Sequence, residues 1–112
     1  MLKIEAVVRN TKLQQVKKEL EQIGIITFST FEVKISGVSQ LSAGGKPGSL
    51  KTSVLIPKTK IEIICKDKDK DKVTKAIAMG AKTGQVGDGI VYVCPITQLM
   101  KIKNGKLDEQ AI

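Results

Sequence analysis

The feature that most constrains the fold is a strand–helix pattern that occurs on both sides of one long stretch without a period. Residues 39–53, SQLSAGGKPGSLKTS, contain three Gly, one Pro and four Ser, and show neither a two-residue nor a 3.6-residue hydrophobic repeat. This composition predicts a long loop, and loops of this length inside a small domain are usually functional or disordered. The chain is therefore expected to fold as two strand–helix halves joined through this loop.

The first half begins with a strand over residues 2–9, in which side chains alternate in character. One face carries Leu2, Ile4, Ala6 and Val8, and the other carries Lys3, Glu5, Val7 and Arg9. A helix is predicted from Thr11, with Gln14 as its capping-box partner. Its apolar side consists of Leu13, Val16, Leu20 and Ile23. Gly24 stands at the position that ends such a helix.

The second strand is predicted over residues 26–38. One of its faces carries Thr27, Ser29, Phe31, Val33 and Ile35. After the long loop, a third strand places Ile61, Ile63 and Cys65 on one side and Lys60, Glu62 and Ile64 on the other. These two strands flank the aperiodic segment, so they are expected to form its base.

The charged run KDKDKDK (66–72) predicts a solvated loop and the start of a second helix, capped by Asp69 or Asp71. The buried side of this helix is predicted to consist of Val73, Ala76, Ile77, Gly80 and Ala81. A fourth strand, IVYVC (90–94), follows, and MKIKNG (100–105) alternates again, as an extended segment does.

The order β-α-β-loop-β-α-β predicts an α+β, ferredoxin-like βαββαβ fold, with a four-stranded antiparallel sheet and both helices on one face. The other face would be open and would carry residues such as Val7 and Ile64. Since a monomer rarely exposes such a patch, a symmetric oligomer is expected to cover it.

The chain is expected to form a single domain, residues 1–112. Its composition argues against several classes of function. The net charge is +8, but only Phe28, Phe31 and Tyr92 are aromatic and the lysines are spread along the chain, which argues against a nucleic-acid partner. The absence of His removes the commonest general base and a frequent zinc ligand, so neither an enzyme nor a metal site is expected. Cys65 and Cys94 are expected to be buried small hydrophobic residues. No apolar stretch is long enough to insert into a membrane, and a cytoplasmic location is expected.

Residues 82–93, KTGQVGDGIVYV, place Gly84, Gly87 and Gly89 within six residues, directly before the last strand. Taken alone, this segment predicts a tight helix-to-strand turn. Its glycines also allow backbone N–H groups to approach a phosphate closely, and such concave groups of N–H donors bind anions without charged side chains. Thr83 could add a hydroxyl group. The segment alone leaves both interpretations open.

Several motifs in the same order resemble those of the PII signal-transduction proteins. LKIEAVVRNTKLQQVKKELEQIGI resembles their first strand and helix, and IPKTKIEII (56–64) resembles the strand after their long T-loop. KTGQVGDGIVYVCPI (82–96) resembles their B-loop, and KIKNGKLDEQAI (101–112) their C-terminal loop. The resemblance covers the whole chain and places the T-loop at about residues 38–54 and the B-loop at residues 82–90.

The resemblance implies a homotrimer that binds ATP or ADP in clefts between subunits and contacts a protein target through the T-loop. It assigns nucleotide binding to Val7, Ser29, Gly37, Val38, Ser39, Lys58, Glu62, Ile64, Thr83, Gly84, Gly87, Asp88, Gly89, Lys101 and Lys103. We expect Ser42, Lys46, Leu50 and Lys51 to contact the partner. That partner would be a transporter, an enzyme or a regulator of nitrogen or amino-acid metabolism.

The chain departs from the family pattern at positions that bear on ligand choice. Ile90 stands where the family has a phosphate-directed lysine after GDG, and Lys101 and Lys103 replace two arginines, which removes their bidentate fork. Ser39 stands where a glutamine helps to hold Mg²⁺ and 2-oxoglutarate, which argues against both ligands. Lys51 replaces the tyrosine that is modified in typical members.

These departures favour a divergent PII-like sensor of ATP or ADP. Two alternatives stay open. One is a structural or interaction trimer whose ligand site has degenerated, which the residues at positions 39 and 90 favour. The other is a standard nitrogen regulator that senses 2-oxoglutarate, for which Lys58 is retained.

Overall fold

The computed structural model describes residues 1–38 and 53–112. Its strands are β1 (Leu2–Val8), β2 (Ser29–Val38), β3 (Ser53–Cys65) and β4 (Ile90–Pro95), and its helices are α1 (Leu13–Gln22) and α2 (Lys70–Ala81). Short 3₁₀ turns cover Asn10–Lys12, Asp67–Asp69 and Asp108–Ala111. Among the described helices, none has the length and apolar character that crossing a membrane requires.

The four strands form one sheet in the order β2-β3-β1-β4, with each neighbouring pair antiparallel. Ile4 lies opposite Ile63 on β3 and opposite Val93 on β4, which fixes the register at the centre of the sheet. This order and the two helices confirm the predicted ferredoxin-like fold.

The core lies between one sheet face and the two helices. It contains Ile4, Ala6, Val8, Val16, Leu20, Ile61, Ile63, Cys65, Val73, Ala76, Ile77 and Ala81. This cluster consists of alternate residues of the strands and of the predicted apolar sides of the helices. It therefore confirms the two-residue period of the strands and the 3.6-residue period of the helices. The helices also approach each other closely: a Cβ built on Gly80 would lie 2.5 Å from the Val16 Cα atom. Gly80 is therefore required by packing.

The predicted side-chain caps of the helices do not form. A 3₁₀ turn precedes each helix, and α1 begins at Leu13, two residues after Thr11. Asp69 does occupy the N-cap position of α2, but its side chain forms no capping hydrogen bond. In the first turn the Lys12 N–H donates to the Arg9 carbonyl at 2.9 Å, so a backbone bond replaces the capping-box bond. The end of α1 is as predicted, with Gly24 at φ +84°.

Two other boundaries differ from the sequence prediction. β2 begins at Ser29, three residues after the expected start at residue 26. The segment from residue 102 to residue 104 is a turn, not an extended strand, and Gly105 closes it at φ +69°. The Gly105 N–H donates to the Lys101 carbonyl at 2.8 Å. Alternation in MKIKNG therefore did not indicate a strand.

The long hairpin of β2 and β3 extends beyond the rest of the sheet. β1 pairs with β3 only as far as Val8 and Thr59, whereas the β2–β3 ladder continues from Val33 and Lys58 to Val38 and Ser53. These outer pairs form a two-stranded arm. The arm ends where the predicted T-loop begins, and residues 39–52 lie outside the described part of the chain.

The sheet face opposite the helices is called the open face here. It carries Lys3, Glu5, Val7, Phe31, Lys60, Glu62, Ile64 and Tyr92. Ile64 is 45% exposed, as predicted, and Val7 is half-buried. Glu5 is only 7% exposed and pairs with Lys3 at 2.8 Å. The Lys3 ammonium, and then the Tyr92 hydroxyl, hold the pKa of Glu5 below its usual range. The open face in one chain therefore combines apolar side chains with paired charges.

The two cysteines differ in burial. Cys65 belongs to the core, as predicted, whereas Cys94 is only half-buried on β4. Both thiols are free.

Candidate functional site

The glycine-rich segment at residues 82–90, here the B-loop, connects α2 to β4 through three residues with positive φ. Gly84, Gly87 and Gly89 have φ angles of +84°, +102° and +103°. L-residues other than Gly rarely adopt these angles, so the three glycines set the path of the loop.

Gly89 and Gly87 are also fixed by their neighbours. A Cβ on Gly89 would lie 1.8 Å from the Val7 carbonyl oxygen, which leaves no room for any side chain. A Cβ on Gly87 would lie 3.1 Å from the Arg9 Nη2 atom and 3.6 Å from the Lys58 Nζ atom. The loop therefore rests on the end of β1 and beneath two cationic side chains.

Asp88 holds the loop together from inside. Its carboxylate accepts hydrogen bonds from the backbone N–H groups of Thr83 and Gly84, both at 2.9 Å, and from the Thr83 hydroxyl. It also forms an ion pair with Arg9. The Thr83 hydroxyl first, and then the Arg9 guanidinium, hold the pKa of Asp88 far below its usual range. Asp88 therefore acts as the internal acceptor of the loop and is ionised at neutral pH.

Arg9 follows β1 and was missed as a site residue by the sequence analysis. Its Nη2 atom donates to the Val86 carbonyl at 2.7 Å, and its Nη1 atom donates to the Thr83 hydroxyl oxygen at 3.3 Å and to Asp88. One signal was present in the sequence. Arg9 is the only arginine among 19 Lys and Arg residues, at the end of a strand next to the predicted site.

Lys58 reaches the same loop from β3. Its Nζ atom donates to the Gly87 carbonyl at 2.8 Å. Because this acceptor is neutral, the ammonium charge of Lys58 is not cancelled by it. The structure thus brings Lys58 to the predicted residues Thr83, Gly84, Gly87, Asp88 and Gly89.

Several backbone donors of the B-loop remain available for a ligand, among them those of Gly87 and Gly89. Within residues 1–38 and 53–112, the N–H groups of Gly87 and Gly89 form no hydrogen bond, whereas those of Thr83, Gly84 and Gln85 bond inside the loop. Backbone N–H groups next to a cation attract anions. The arrangement can therefore bind an anionic group such as a phosphate. Ile90, at the end of the loop, is 62% exposed and adds no charge.

A second set of predicted residues lies on the open face of the sheet. Ser29 is directly opposite Glu62 across β2 and β3, and Val7 is opposite Lys60 across β1 and β3. Ile64 lies two residues beyond Glu62 on the same face. Gly37 lies on the arm, opposite Val54. These residues lie on one continuous face. Val7 lies against Gly89 of the B-loop, Ser29, Glu62 and Ile64 lie farther along the sheet, and Gly37 lies in the other direction, on the arm.

Lys101 and Lys103 do not join the B-loop within one chain. Lys101 lines a cavity of about 650 Å³ together with Ile64 and Cys65, at the C-terminal end of β3, whereas Lys58 lies near the middle of that strand. Ile64 is six positions after Lys58, which corresponds to ~20 Å along a strand. Lys103 is exposed in the turn that follows Lys101. A site that uses the B-loop and both lysines therefore requires two copies of the chain.

Several predicted residues lie beyond what the structure describes. Ser39, Ser42, Lys46, Leu50 and Lys51 fall in residues 39–52. Val38 belongs to β2 and pairs with Ser53 through its backbone. Within the described ranges, no cluster of three or more His, Cys, Asp or Glu residues is placed to hold a metal ion.

Fold and site together define a ferredoxin-like domain with a glycine-rich loop braced at one end of its sheet. The family description "Nitrogen regulatory protein P-II" matches residues 1–106. This chain belongs to the P-II family.

Individual relatives agree over nearly the whole length. The chain is 33% identical over 112 residues to the nitrogen regulatory protein P-II of Microchaete diplosiphon, with all of both chains covered. It is equally similar to nitrogen regulatory protein P-II 2 of Methanothermobacter thermautotrophicus, covering 97% of that protein. Among solved structures, it is similar to Arabidopsis thaliana PII bound to citrate, with a TM-score of 0.77 and 31% identity, covering 98% of this chain and 87% of that one.

Membership of the family establishes the general role. PII proteins are regulatory signal-transduction proteins and not enzymes, and the chain accordingly has a PII signalling role in nitrogen regulation. Proteins of this family form trimers, bind effector ligands and interact with protein targets.

Proposed function

We propose that this chain is a PII-like sensor that binds ATP or ADP between subunits and controls a partner protein through its T-loop, at about residues 38–54. The observation that carries the proposal is the braced B-loop, in which the N–H groups of Gly87 and Gly89 are free to donate hydrogen bonds to an anion beside Lys58. The phosphates are the part of a nucleotide that such donors recognise.

The two ends of the nucleotide would use different parts of the chain. Gly87, Gly89 and Lys58 would hold the phosphates from one subunit, and Lys101 and Lys103 would approach from a neighbouring subunit. The adenine would lie against Val7, Ser29 and Ile64 on the open face, with Glu62 accepting a hydrogen bond from its amino group or from a ribose hydroxyl. The register of the sheet supports this arrangement, since Val7 lies against Gly89, and Glu62 and Ile64 follow Lys58 along β3.

Ligand binding would be transmitted through the base of the T-loop. Nucleotide identity would shift the population of conformations near Gly37 and Ser39, and hence the affinity for the partner. The size of this effect equals the difference in partner affinity between the two nucleotide states. We expect the partner to be a transporter, an enzyme or a regulator of nitrogen or amino-acid metabolism, and we expect the protein to act in the cytoplasm.

A trimer that has lost its ligand site is a second candidate. The exposed Ile90 favours it, because the family places a phosphate-directed lysine at that position. Calorimetric titration with ATP and with ADP, each with and without Mg²⁺ and 2-oxoglutarate, separates the two. We expect either nucleotide to bind and 2-oxoglutarate to change nothing, since Ser39 replaces the glutamine of typical members.

The titration includes a pair of variants with the same change in charge. Lys101→Met with Lys103→Met should weaken ATP binding about tenfold, which is ~1.4 kcal/mol. Lys17→Met with Lys18→Met, on the exposed side of α1, should change it less than about twofold. Equal losses would show that only net charge matters. No binding by the unmodified trimer would refute the sensor proposal and favour the degenerate site.

A further inference from the structure

We propose that Arg9 is a positioning residue of the B-loop, which sets the free N–H groups of Gly87 and Gly89 by holding three loop residues at once. The inference rests on the proposed nucleotide binding but concerns a residue outside the predicted site. Its guanidinium contacts Thr83, Val86 and Asp88, which lie 74 to 79 residues away in the sequence.

The choice of residue type supports a geometric role. Arg9 is the only arginine in a chain that otherwise uses lysine for its positive charges. A guanidinium offers donors in a fixed planar fork, whereas an ammonium is a compact charge on a flexible stem. Here Nη1 and Nη2 donate in different directions, to a hydroxyl, a carboxylate and a backbone carbonyl. A lysine could satisfy only part of this set.

The backbone of Arg9 is itself well anchored. Val8, the residue before it, belongs to the core and pairs with Thr59 on β3. Asn10, the residue after it, accepts a hydrogen bond from the buried Thr59 hydroxyl at 2.7 Å. The guanidinium therefore extends from a fixed point of the sheet, and its contacts transfer that fixed position to the loop.

A direct role as a phosphate ligand fits the contacts less well. The Arg9 side chain is only 25% exposed, and Asp88 compensates its charge at close range. Lys58, in contrast, rests on a neutral carbonyl oxygen. We therefore assign the attraction of the anion to Lys58 and the shape of the loop to Arg9.

The test separates the effect of the positive charge of Arg9 from that of its forked geometry, and it uses the intact trimer. Arg9→Lys retains the charge and loses the fork, and Arg9→Met loses both. Lys12→Met is the control, because Lys12 is half-buried on the same turn and its side chain, among the described residues, bonds only Gln15. ATP affinity is measured by calorimetry. Amide hydrogen exchange of Thr83 and Gly84 is measured by NMR without nucleotide.

Positioning predicts that Arg9→Lys and Arg9→Met both weaken ATP binding about tenfold or more, the factor that corresponds to one lost charge-assisted hydrogen bond. Exchange at Thr83 and Gly84 should accelerate in both, and Lys12→Met should behave as the unmodified protein. Normal affinity and normal exchange in Arg9→Lys would overturn the proposal, because charge alone would then suffice.

Two further outcomes are also decisive. If the unmodified trimer binds no nucleotide, the proposed function fails, and the exchange rates alone decide whether Arg9 positions the loop. If Arg9→Lys does not assemble, Thr83→Val takes its place, since it removes one acceptor of the guanidinium and one donor to Asp88. Positioning then predicts affinity weaker by about threefold, and unchanged affinity would contradict it.

Discussion

The B-loop and the C-terminal loop at residues 101–112 are both predicted to meet phosphate, but they are held in different ways. Side chains from β1 and β3 brace the B-loop, through Arg9 and Lys58. The C-terminal loop is held by backbone bonds within and just before it, such as the Lys101 N–H donating to the Lys106 carbonyl at 2.8 Å and the Asp108 N–H donating to the Leu99 carbonyl at 2.8 Å. The B-loop is thus formed before a ligand arrives, whereas the other loop offers exposed lysines that need a second subunit.

The largest difference between the two loops is expected in the stability lost when a glycine of each loop is replaced. Gly89→Ala should destabilise the protein by ~3 kcal/mol or more, because ~1–2 kcal/mol for a left-handed backbone adds to ~1–3 kcal/mol for steric overlap with Val7. Gly105→Ala should cost only ~1–2 kcal/mol, since it also has positive φ but nothing within 4 Å of the added Cβ. Urea unfolding at one protomer concentration measures both. Equal losses would remove the distinction between the loops.

Each loop contains one aspartate that accepts hydrogen bonds from backbone N–H groups, and replacing these two residues compares the loops by their effect on ATP binding. Asp88→Asn should weaken ATP binding about tenfold, because the carboxylate accepts from Thr83, Gly84 and Arg9 at once. Asp108→Asn is the matched change in the C-terminal loop, where Asp108 accepts one hydrogen bond from the Leu99 N–H at 3.1 Å. We expect it to weaken binding less than about threefold. A larger loss for Asp108→Asn would reverse our assignment of the preformed loop.

A smaller effect is expected on the pH dependence of stability, which should differ between the unmodified protein and Asp88→Asn. The pKa of Asp88 is lowered in the folded protein, so its contribution to stability is fully present above the unfolded-state pKa of about 4 and is lost as the pH falls below that value. The pKa of Glu5 is also lowered, which adds acid sensitivity of the same sign. The melting temperature should therefore fall less between pH 5 and pH 3 in Asp88→Asn than in the unmodified protein. Parallel melting curves would contradict this account of Asp88.

Features with a local cause could be predicted from the sequence. The buried sides of the strands and helices follow from periods of two and 3.6 residues, so the core residues Ile61, Ile63, Val73 and Ile77 were identified correctly. The side-chain caps of the helices were not, because a backbone-bonded 3₁₀ turn at Asn10–Lys12 replaces the expected cap of α1, and Asp69 stands at the N-cap of α2 without a capping bond.

Only part of the candidate site could be predicted from local sequence patterns. The glycines of the B-loop were visible as a motif, and in the structure all three have positive φ angles. Arg9 was missed because its contact with Asp88 joins residues 79 positions apart, which no local pattern reports. Lys101 and Lys103 were placed on an extended segment because Lys-Ile-Lys alternates, but bonds between the two ends of the segment fold it into a turn.

The arm formed by the outer parts of β2 and β3 has a mechanical consequence. Beyond Thr59, within the described part of the chain, β2 and β3 pair only with each other, and their ladder is continuous as far as Val38 and Ser53. In a continuous ladder one strand cannot slide without breaking the bonds to the other. A sideways force on the outer end of the arm must therefore bend both strands together, and the bend must occur where β1 ends. Lys58 lies at that bending point, one residue from Thr59, and its ammonium group donates to the Gly87 carbonyl.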